Sequence, residues 1–445
     1  MTKPRQAVII IHGIGEQRPM ETLRGFVLGV LGSEIGVDSR PRFYSKPDLN
    51  AEGYELRRFR AFDADEDSDF IEFYWQHLMP VGGWAFILTW LWSLMRRPAK
   101  AMPPRFLMLW WVCWLALIAI VAAAVIGGIA EVRGTPIPWL TLPSLTGTAA
   151  IVAGVLGAVV RSFVGDSAIY LNPGARTVDA RNKIRASGMA LLERVQKDGR
   201  YDRVIVVGHS LGSVIGYDIL NLAWQRASDA FRRKVEAGGI VVVGEANQPA
   251  LAAAEALAAA GSVSAEARRS ATRALHAEQR MLGVQWLVTD FVTLGSPLAH
   301  STLLLARGPK DLERRTDERE LPTAPPFRED GTHFAYRREG CVKDPAKPND
   351  PGEPASARVV DHAAVFAVTV WTNLYFPCRV LFYGDLVGGA ISPVFGPGVV
   401  DCAVQTGIRS GWLAHTEYWT RYADMPANAA PLVLADTLDL QRTTF

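Results

Sequence analysis

The sequence predicts an α/β fold built around a doubly wound, mostly parallel sheet. Two short runs rich in β-branched residues, 7–11 and 203–208, each end in a glycine-containing turn that is followed by a predicted helix. A third run, 287–294, also ends at a glycine, Gly295. Such short apolar runs are typical of the buried strands of a parallel sheet. The sequence between the first two strands contains a long uncharged stretch, which indicates that a membrane segment is inserted into this domain.

Composition supports a large core with apolar sequence left over. The chain has 445 residues, 49% of them hydrophobic, and a positive mean hydropathy of +0.10. A surplus of this kind points to a membrane. The net charge of +2 is too small to predict nucleic-acid binding. The cysteines show neither a CxxC pair nor a disulfide-like framework, so we expect free thiols in a reducing compartment; they are Cys113, Cys341, Cys378 and Cys402.

The first part of the sheet domain is predicted to span residues 1–80. Its first strand, 7–11, is too short and too β-branched for a signal peptide, and it ends in His12 and Gly13 instead of a cleavage site. A helix is predicted over 21–31. Two further strands are predicted over 54–62 and 70–75, joined by an acidic surface turn.

A membrane insertion is predicted over 81–165. Residues 106–130 carry no charge, and as a helix they would be about 37 Å long, enough to cross a hydrocarbon core of about 30 Å. A second span is predicted over 139–160, where small residues suit packed membrane helices. Residues 81–95 are tryptophan-rich but too short to cross, and are interpreted as interfacial. The alternative is a buried helical hairpin in a soluble protein.

Strand order gives an independent argument for a hairpin. If 7–11 and 203–208 belong to one sheet, the chain must cross the membrane an even number of times between them. Basic residues flank the two predicted spans, whereas the loop between them has only Glu131 and Arg133. By the positive-inside rule, the sheet domain faces the cytoplasm. The flanking basic residues are Arg96, Arg97, Lys100 and Arg105 before the first span, and Arg161, Arg176, Arg181, Lys183 and Arg185 after the second.

The turn after 203–208 has the pattern of a nucleophile elbow. Gly208 and Gly212 flank Ser210 two residues to either side, between a predicted strand and a predicted helix. The sharp turn forces a strained backbone on the serine, and the glycines remove side chains that would collide there. Its hydroxyl would then lie at a helix N-terminus, where the dipole favours negative charge.

An oxyanion hole is predicted from two backbone N–H groups. One belongs to Leu211, the residue after the nucleophile, and the other to Ile14, in the turn after the first strand. Gly15 is the alternative to Ile14. Such donors bind the tetrahedral oxyanion better than the ground-state carbonyl. The side chain of His12 is interpreted as structural.

The general base is predicted to be His415, because the expected chain order is nucleophile, acid, histidine, and no later histidine exists. His209 points away from the serine in this interpretation, and His300 and His362 precede the preferred acid. That acid is Asp385, placed just beyond a predicted strand, 380–383. Asp361 and Asp401 are the rival carboxylates.

The second part of the sheet domain is predicted to span 166–445. A helical cap is predicted over 227–283, where alanine and charged residues dominate, with a short strand over 239–244 inside it. The helix after the elbow is expected to run to about residue 226. Residues 310–357 are rich in proline and charge and are predicted to form an irregular polar loop.

An ordered set of motifs between residues 11 and 419 resembles the bacterial membrane-associated α/β-hydrolases of lipase or esterase type. The motifs are HGIGEQ, EFYW, GHSLGSVIGYD, TLGSPLAH, the segment from WTNLYFP to GDLVGG, and AHTEYW. The resemblance implies an α/β-hydrolase fold and ester hydrolysis by a Ser210, Asp385, His415 triad, with Leu211 and Ile14 in the oxyanion hole. The membrane insertion and the cap lie outside what it implies.

The leading hypothesis is therefore a membrane-anchored serine hydrolase of carboxylic esters, acting on lipids or acylated molecules of the cytoplasmic leaflet. Such chemistry needs neither a metal nor an organic cofactor. The expected location is the bacterial inner membrane, and the expected partners are the bilayer and a lipid or acyl-ester substrate; the sequence names no protein partner. An amidase or thioesterase would use the same triad. A hypothesis of another class is a noncatalytic membrane scaffold that kept the fold.

Overall fold

The computed structural model describes an α/β protein with an eight-stranded, mixed, mostly parallel sheet. The described residues are 5–14, 18–32, 43–48, 57–62, 67–79, 92–102, 104–135, 169–171, 174, 177–237, 248–260, 263–328, 331–342, 353–378, 384–405 and 414–441. The strands are β1 Arg5–Ile11, β2 Phe43–Pro47, β3 Arg57–Phe62, β4 Asp67–Phe73, β5 Arg203–His209, β6 Val288–Leu294, β7 Ala335–Val342, β8 Glu353–Val360, β9 Val370–Tyr375 and β10 Val400–Ala403.

Helices connect these strands along the described part of the chain. They are α1 Glu21–Leu31, α2 Pro104–Val132, α3 Val178–Lys197, α4 Leu211–Glu236, α5 Pro249–Ala259, α6 Ala265–Met281, α7 Ser301–Leu304, α8 Pro309–Asp317, α9 Val365–Val368, α10 Ser392–Phe395 and α11 Ala430–Leu438. Short 3₁₀ turns lie at Gln76–Leu78, Ala99–Ala101, Pro297–His300 and Ala414–Thr416.

The sheet has the order β10-β9-β6-β5-β1-β4-β3-β2. β1 is parallel to both β5 and β4, while β3 is antiparallel to β4 and to β2. The two predicted core strands are therefore neighbours at the centre of one sheet, as expected. Because β1, β5, β6 and β9 are parallel, their carboxyl ends meet at one edge of the sheet. This is the edge at which a doubly wound sheet places its functional site.

Helices cover both faces of the sheet. Ile9 and Ile11 of β1 pack with α3 and α4 in one core, and the alternate residues Val8 and Ile10 pack with α1 and α11 in another. Strand side chains alternate between faces, so a strand buried on both sides is apolar at every position. This explains why residues 7–11 show no polar alternation. The α/β class and the mostly parallel sheet were correctly predicted.

The predicted membrane insertion, 81–165, lies only partly within the described residues. The first predicted span, 106–130, lies within α2, and this single helix is long and apolar enough to cross a bilayer among the described residues. Its side chains are mostly exposed to solvent; Leu115, for example, is 60% exposed. The second predicted span, 139–160, lies outside the described residues, as do residues 81–91 of the predicted interfacial segment. The described part of the chain thus contains one apolar helix and not the predicted hairpin.

Two predictions for the second half of the chain need correction. Residues 310–357 are not an irregular loop, because the described part contains most of α8 and two strands, β7 and β8, which pair as an antiparallel hairpin. The hairpin of β7 and β8 packs on α4, and Val359 and Val360 are buried in the core that contains the apolar residues of α4. The mostly polar sequence of 310–357 does not reveal this apolar contact. The helix after the elbow runs to Glu236, ten residues further than expected.

Helices form in the predicted cap region, but their covering role stays a prediction. α5 and α6 lie within 227–283, and α6 leads into β6. Leu251 and Leu275 of these helices belong to the same core as Trp371 of β9. The predicted strand over 239–244 lies outside the described residues.

Candidate active site

Ser210 lies in a strained turn between β5 and α4. Its φ of 53° and ψ of −128° are unusual for a residue with a side chain. Its backbone N–H donates to the carbonyl of Leu294 at 3.0 Å, and α4 begins at the next residue. Strain of this kind persists only where surrounding structure enforces it, and it is concentrated at functional sites. The predicted nucleophile elbow therefore has the expected local geometry.

Three glycines make this close packing possible. A Cβ on Gly208 would lie 2.5 Å from the Cα of Ser213, and one on Gly212 would lie 2.2 Å from the carbonyl oxygen of Ile11. A Cβ on Gly13 would lie 2.8 Å from the Cβ of Ser210. Such distances are below van der Waals contact, so any side chain would push the strand, the turn and the helix apart. Gly208 and Gly212 were predicted from the elbow pattern; the contact at Gly13 was not.

His415 lies within hydrogen-bond distance of the serine. Its Nε2 is 2.8 Å from Ser210 Oγ, and its Nδ1 is 3.0 Å from each carboxylate oxygen of Asp385. The three residues come from distant parts of the chain. This is the order of contacts that a serine nucleophile, a general base and an orienting acid require. The structure thus brings together the three side chains that the sequence analysis selected.

Asp385 is completely buried and surrounded by donors. Besides His415, its oxygens accept the backbone N–H of Val387 at 2.8 Å and the hydroxyl of Tyr418 at 2.7 Å. Burial by itself disfavours the charged carboxylate, but the nearby His415 and the hydrogen bonds from His415, Gly388 and Tyr418 outweigh it and hold the pKa of Asp385 well below its ordinary value. The carboxylate is therefore charged at neutral pH and can stabilise an imidazolium.

Tyr418 is a site residue that sequence reasoning missed. Its buried hydroxyl donates to Asp385 and accepts the backbone N–H of Phe376 at 3.0 Å. Burial and the neighbouring carboxylate raise its pKa well above the ordinary value, so it remains a donor. The only signal in the sequence was its position three residues after His415, inside the motif AHTEYW.

Asp385 lies beyond β9, at the edge of the sheet where Ser210 also lies. The strand predicted immediately before it, 380–383, lies outside the described residues. Gly295, at the end of β6, packs against this acid: with a φ of 55°, a Cβ there would lie 2.7 Å from Asp385 Oδ2 and 3.1 Å from His415 Nδ1. Position 295 thus requires glycine for two reasons: its positive φ, and the closeness of the Asp385 and His415 side chains.

The alternative acids, Asp401 and Asp361, contact residues other than His415. Asp401 accepts hydrogen bonds from Asn373 and from the backbone of Ile391 and Ser392. Asp361 pairs with Arg319 at 2.8 Å. Of the other histidines, His362 lies 3.3 Å from Asp361. Among the described residues, Asp385 is the carboxylate in contact with His415.

The two backbone groups assigned to the oxyanion hole flank the serine in the fold. Leu211 is the first residue of α4, and a helix leaves its first N–H groups without intrahelical partners. Ile14 follows Gly13 in the turn that packs against Ser210. The role of both N–H groups stays a prediction, and Gly15, the alternative, lies outside the described residues.

The turn at the end of β1 is held by a buried histidine. His12 stacks on Trp75 with ring centroids 5.0 Å apart, and Trp75 donates its indole N–H to the carbonyl of His12 at 3.0 Å. Burial lowers the pKa of His12 to about 4, so the ring is neutral near pH 7. These contacts favour the structural role that was predicted for this side chain.

Two buried serines, Ser213 and Ser296, form hydrogen bonds next to the turn at Ser210. Ser213 Oγ hydrogen-bonds to the carbonyl of Ser210 at 2.5 Å and lies 2.6 Å from Ser296 Oγ. Both are fully buried. The pair ties the first turn of α4 to the segment after β6, which stabilises the strained conformation of Ser210.

Within the described residues, no three His, Cys, Asp or Glu side chains come close enough to hold a metal ion.

Comparison of the chain with protein-family models, curated proteins and solved structures found no match.

Proposed function

We propose that the protein is a membrane-anchored serine hydrolase that cleaves carboxylic esters, with the architecture of an α/β-hydrolase. The observation that carries this proposal is the continuous hydrogen-bonded path from Ser210 through His415 to Asp385, with the serine strained at the start of a helix. A structural core rarely needs a charged acid, a histidine and a strained serine in this order, whereas acyl transfer needs all three.

In the first half of the reaction, Ser210 Oγ attacks the acyl carbon of the ester. His415 Nε2 takes the hydroxyl proton, and the charge that forms on the imidazole is stabilised by Asp385. The substrate carbonyl oxygen becomes an oxyanion, for which we assign the N–H groups of Leu211 and Ile14 as donors. His415 then returns the proton to the leaving alkoxide, and the alcohol departs from an acyl-enzyme.

In the second half, water replaces the alcohol. His415 removes a proton from water, hydroxide adds to the acyl carbon, and the bond to Ser210 Oγ breaks as the serine recovers its proton. The free acid leaves. Each step requires only the proton relay and the oxyanion donors, so we propose no metal or organic cofactor.

We propose that α2 spans the membrane and that the substrates are lipids or other acylated molecules of the adjoining leaflet. In support, the exposed apolar face of α2 would be costly in water. Trp110 and Trp114 near its start donate their indole N–H groups to the carbonyl of Met95, which makes a tryptophan cluster of the kind found at membrane interfaces. Arg97, two residues after Met95, donates a hydrogen bond to the backbone carbonyl of Ala306 in the sheet domain.

The observed pairing of β1 with β5 supports a second span. A chain that crosses once at α2 must return before Arg203, because β1 and β5 lie in the same sheet. From the basic residues that flank the predicted spans, we assign the sheet domain to the cytoplasmic side of a bacterial inner membrane. A cysteine introduced at Gly134 should then react with an impermeant maleimide from outside intact cells, and labelling only after lysis would contradict this topology.

The function is tested by labelling the detergent-solubilised protein with a fluorophosphonate, which reacts covalently with an activated serine. Wild type should label and hydrolyse short p-nitrophenyl esters, and Ser210→Ala should abolish both. His415→Ala should slow both by at least about 10³-fold, since the base is lost.

A matched control is Ser228→Ala, because Ser228 is also buried on α4 but donates to the carbonyl of Val360. It should label like wild type. A folded wild type that neither labels nor turns over any ester, thioester or amide would overturn the hydrolase proposal and favour the scaffold. Turnover of thioesters or amides but not of esters would overturn the ester assignment while keeping the triad.

A further inference from the structure

His209, the last residue of β5, contacts the proposed base and not the nucleophile. Its Nε2 lies 2.7 Å from the backbone carbonyl oxygen of His415. A carbonyl oxygen only accepts hydrogen bonds, so Nε2 must carry the proton and donate it. Nδ1 is then unprotonated, and within the described part of the chain it makes no hydrogen bond.

The surroundings of His209 keep it neutral. It is 6% exposed, and burial, together with repulsion from the nearby His415, lowers its pKa to about 3. The two imidazole rings have centroids 5.0 Å apart. A neutral ring at this distance does not repel the positive charge that His415 acquires during the reaction. His209 is thus suited to hold His415 but unsuited to compete with it as a base.

Close packing around the ring of His209 fixes its contact with the carbonyl of His415. The ring of His209 lies edge to face against Trp419, with centroids 4.9 Å apart, and a Cβ on Gly13 would lie 3.0 Å from its Nδ1. His209 also adjoins Ser210 in the chain. The same strand end therefore presents the nucleophile to His415 Nε2 and holds the backbone of His415 by its carbonyl.

We propose that His209 is a positioning residue, whose Nε2–H clamps the carbonyl of His415 and so fixes Nε2 of that base against the hydroxyl of Ser210. The proposal rests on the serine hydrolase function above. Asp385 holds the side chain of His415 at Nδ1, and His209 adds a second restraint at the backbone carbonyl of the same residue.

The decisive comparison is between His209→Gln and His209→Asn. The amide nitrogen of Gln reaches the position of imidazole Nε2, whereas that of Asn reaches only the position of Nδ1. Both variants stay polar and neutral. We expect Asn to lower kcat and the rate of fluorophosphonate labelling by about 10- to 100-fold, as small misplacements of catalytic groups do, with KM within about threefold. Gln should recover most of that loss.

His276→Leu is the control, because His276 is also a buried histidine but lies on α6, which carries none of the proposed site residues. Its kcat should match wild type. Equal kcat for Gln, Asn and wild type, or losses that follow melting temperature and KM, would overturn the positioning role. If wild type itself neither labels nor hydrolyses esters, the hydrolase proposal fails and takes this one with it; an active wild type with fully active His209 variants overturns this proposal alone.

Discussion

Replacing Asp385 by asparagine tests the proposed triad most sharply, because it changes one atom in a crowded set of donors. Asp385 Oδ1 accepts a hydrogen bond from the backbone N–H of Val387, a group that can only donate. The new amide NH₂ must therefore take the place of Oδ2, facing Tyr418 and His415 Nδ1. A donor facing Nδ1 favours the tautomer in which Nδ1 is unprotonated and Nε2 carries the hydrogen.

In that tautomer His415 can no longer act as the base. Nε2–H would donate to Ser210 Oγ, at the observed 2.8 Å, instead of accepting its proton. The stabilisation of the imidazolium by the carboxylate is lost as well. We expect kcat to fall by about 10⁴-fold, the loss typical of a triad aspartate changed to asparagine, which is about 5 kcal/mol in the activation free energy. KM should change little, since Asp385 is buried away from substrate.

The assay is steady-state hydrolysis of a p-nitrophenyl ester in detergent, with fluorophosphonate labelling as a second readout. Asp401→Asn is the matched control, because Asp401 was the rival acid and accepts hydrogen bonds from Asn373 and Ile391. It should keep kcat within a few-fold even if it lowers stability. Retention of more than a tenth of wild-type kcat by Asp385→Asn, or a larger loss in Asp401→Asn, would refute the assignment of the acid.

Two other substitutions give distinct results. Tyr418→Phe removes a hydrogen bond to the charged Asp385 and leaves the N–H of Phe376 without its acceptor; we expect about 2 kcal/mol of lost stability in denaturant unfolding, and unchanged stability would contradict it. Burial raises the pKa of Glu72 to about 7, so the folded protein favours its protonated form. The stability that Glu72 contributes is present below about pH 4.3, its ordinary pKa in an unfolded chain, and is lost as pH rises through about 7. Glu72→Gln should therefore unfold like wild type at pH 4 but be more stable at pH 8, by roughly 4 kcal/mol at most. An equal difference at both pH values in thermal unfolding would show that charge is not the cause.

Local sequence patterns were sufficient for the central elements of the fold. Residues 7–11 and 203–208 are apolar at nearly every position, and both are buried strands in the structure. The predicted helix 21–31 has the observed bounds of α1. These predictions succeeded because short-range periodicity reports whether an element is buried on one face or on both.

The same patterns failed where an element depends on distant partners. The strands β7 and β8 are polar and were predicted as loop, yet they pair with each other and pack on α4. Their apolar partners lie more than a hundred residues away, so no local window contains the signal. The extension of α4 to Glu236 has a similar origin, since Phe231 and Val235 are buried in the same core as Val359 and Val360 of β8.

The sequence by itself determined which residues could form the site. The spacing around Ser210, the glycines on either side, and the order of serine, acid and last histidine all follow from local geometry and strand topology, and the structure brings Ser210, His415 and Asp385 into contact. Chemical identity limits a base to histidine and an orienting acid to a carboxylate, so few candidates needed to be weighed.

Only the tertiary structure decided how those residues are held. Tyr418 on Asp385, His209 on the carbonyl of His415, and the close approach of Gly295 to both depend on side chains that meet across the sheet edge. A hydrogen bond needs two atoms within about 3 Å, and a sequence specifies that distance only for near neighbours along the chain. Contacts between residues hundreds of positions apart exist only once the parallel strands have brought their carboxyl ends together.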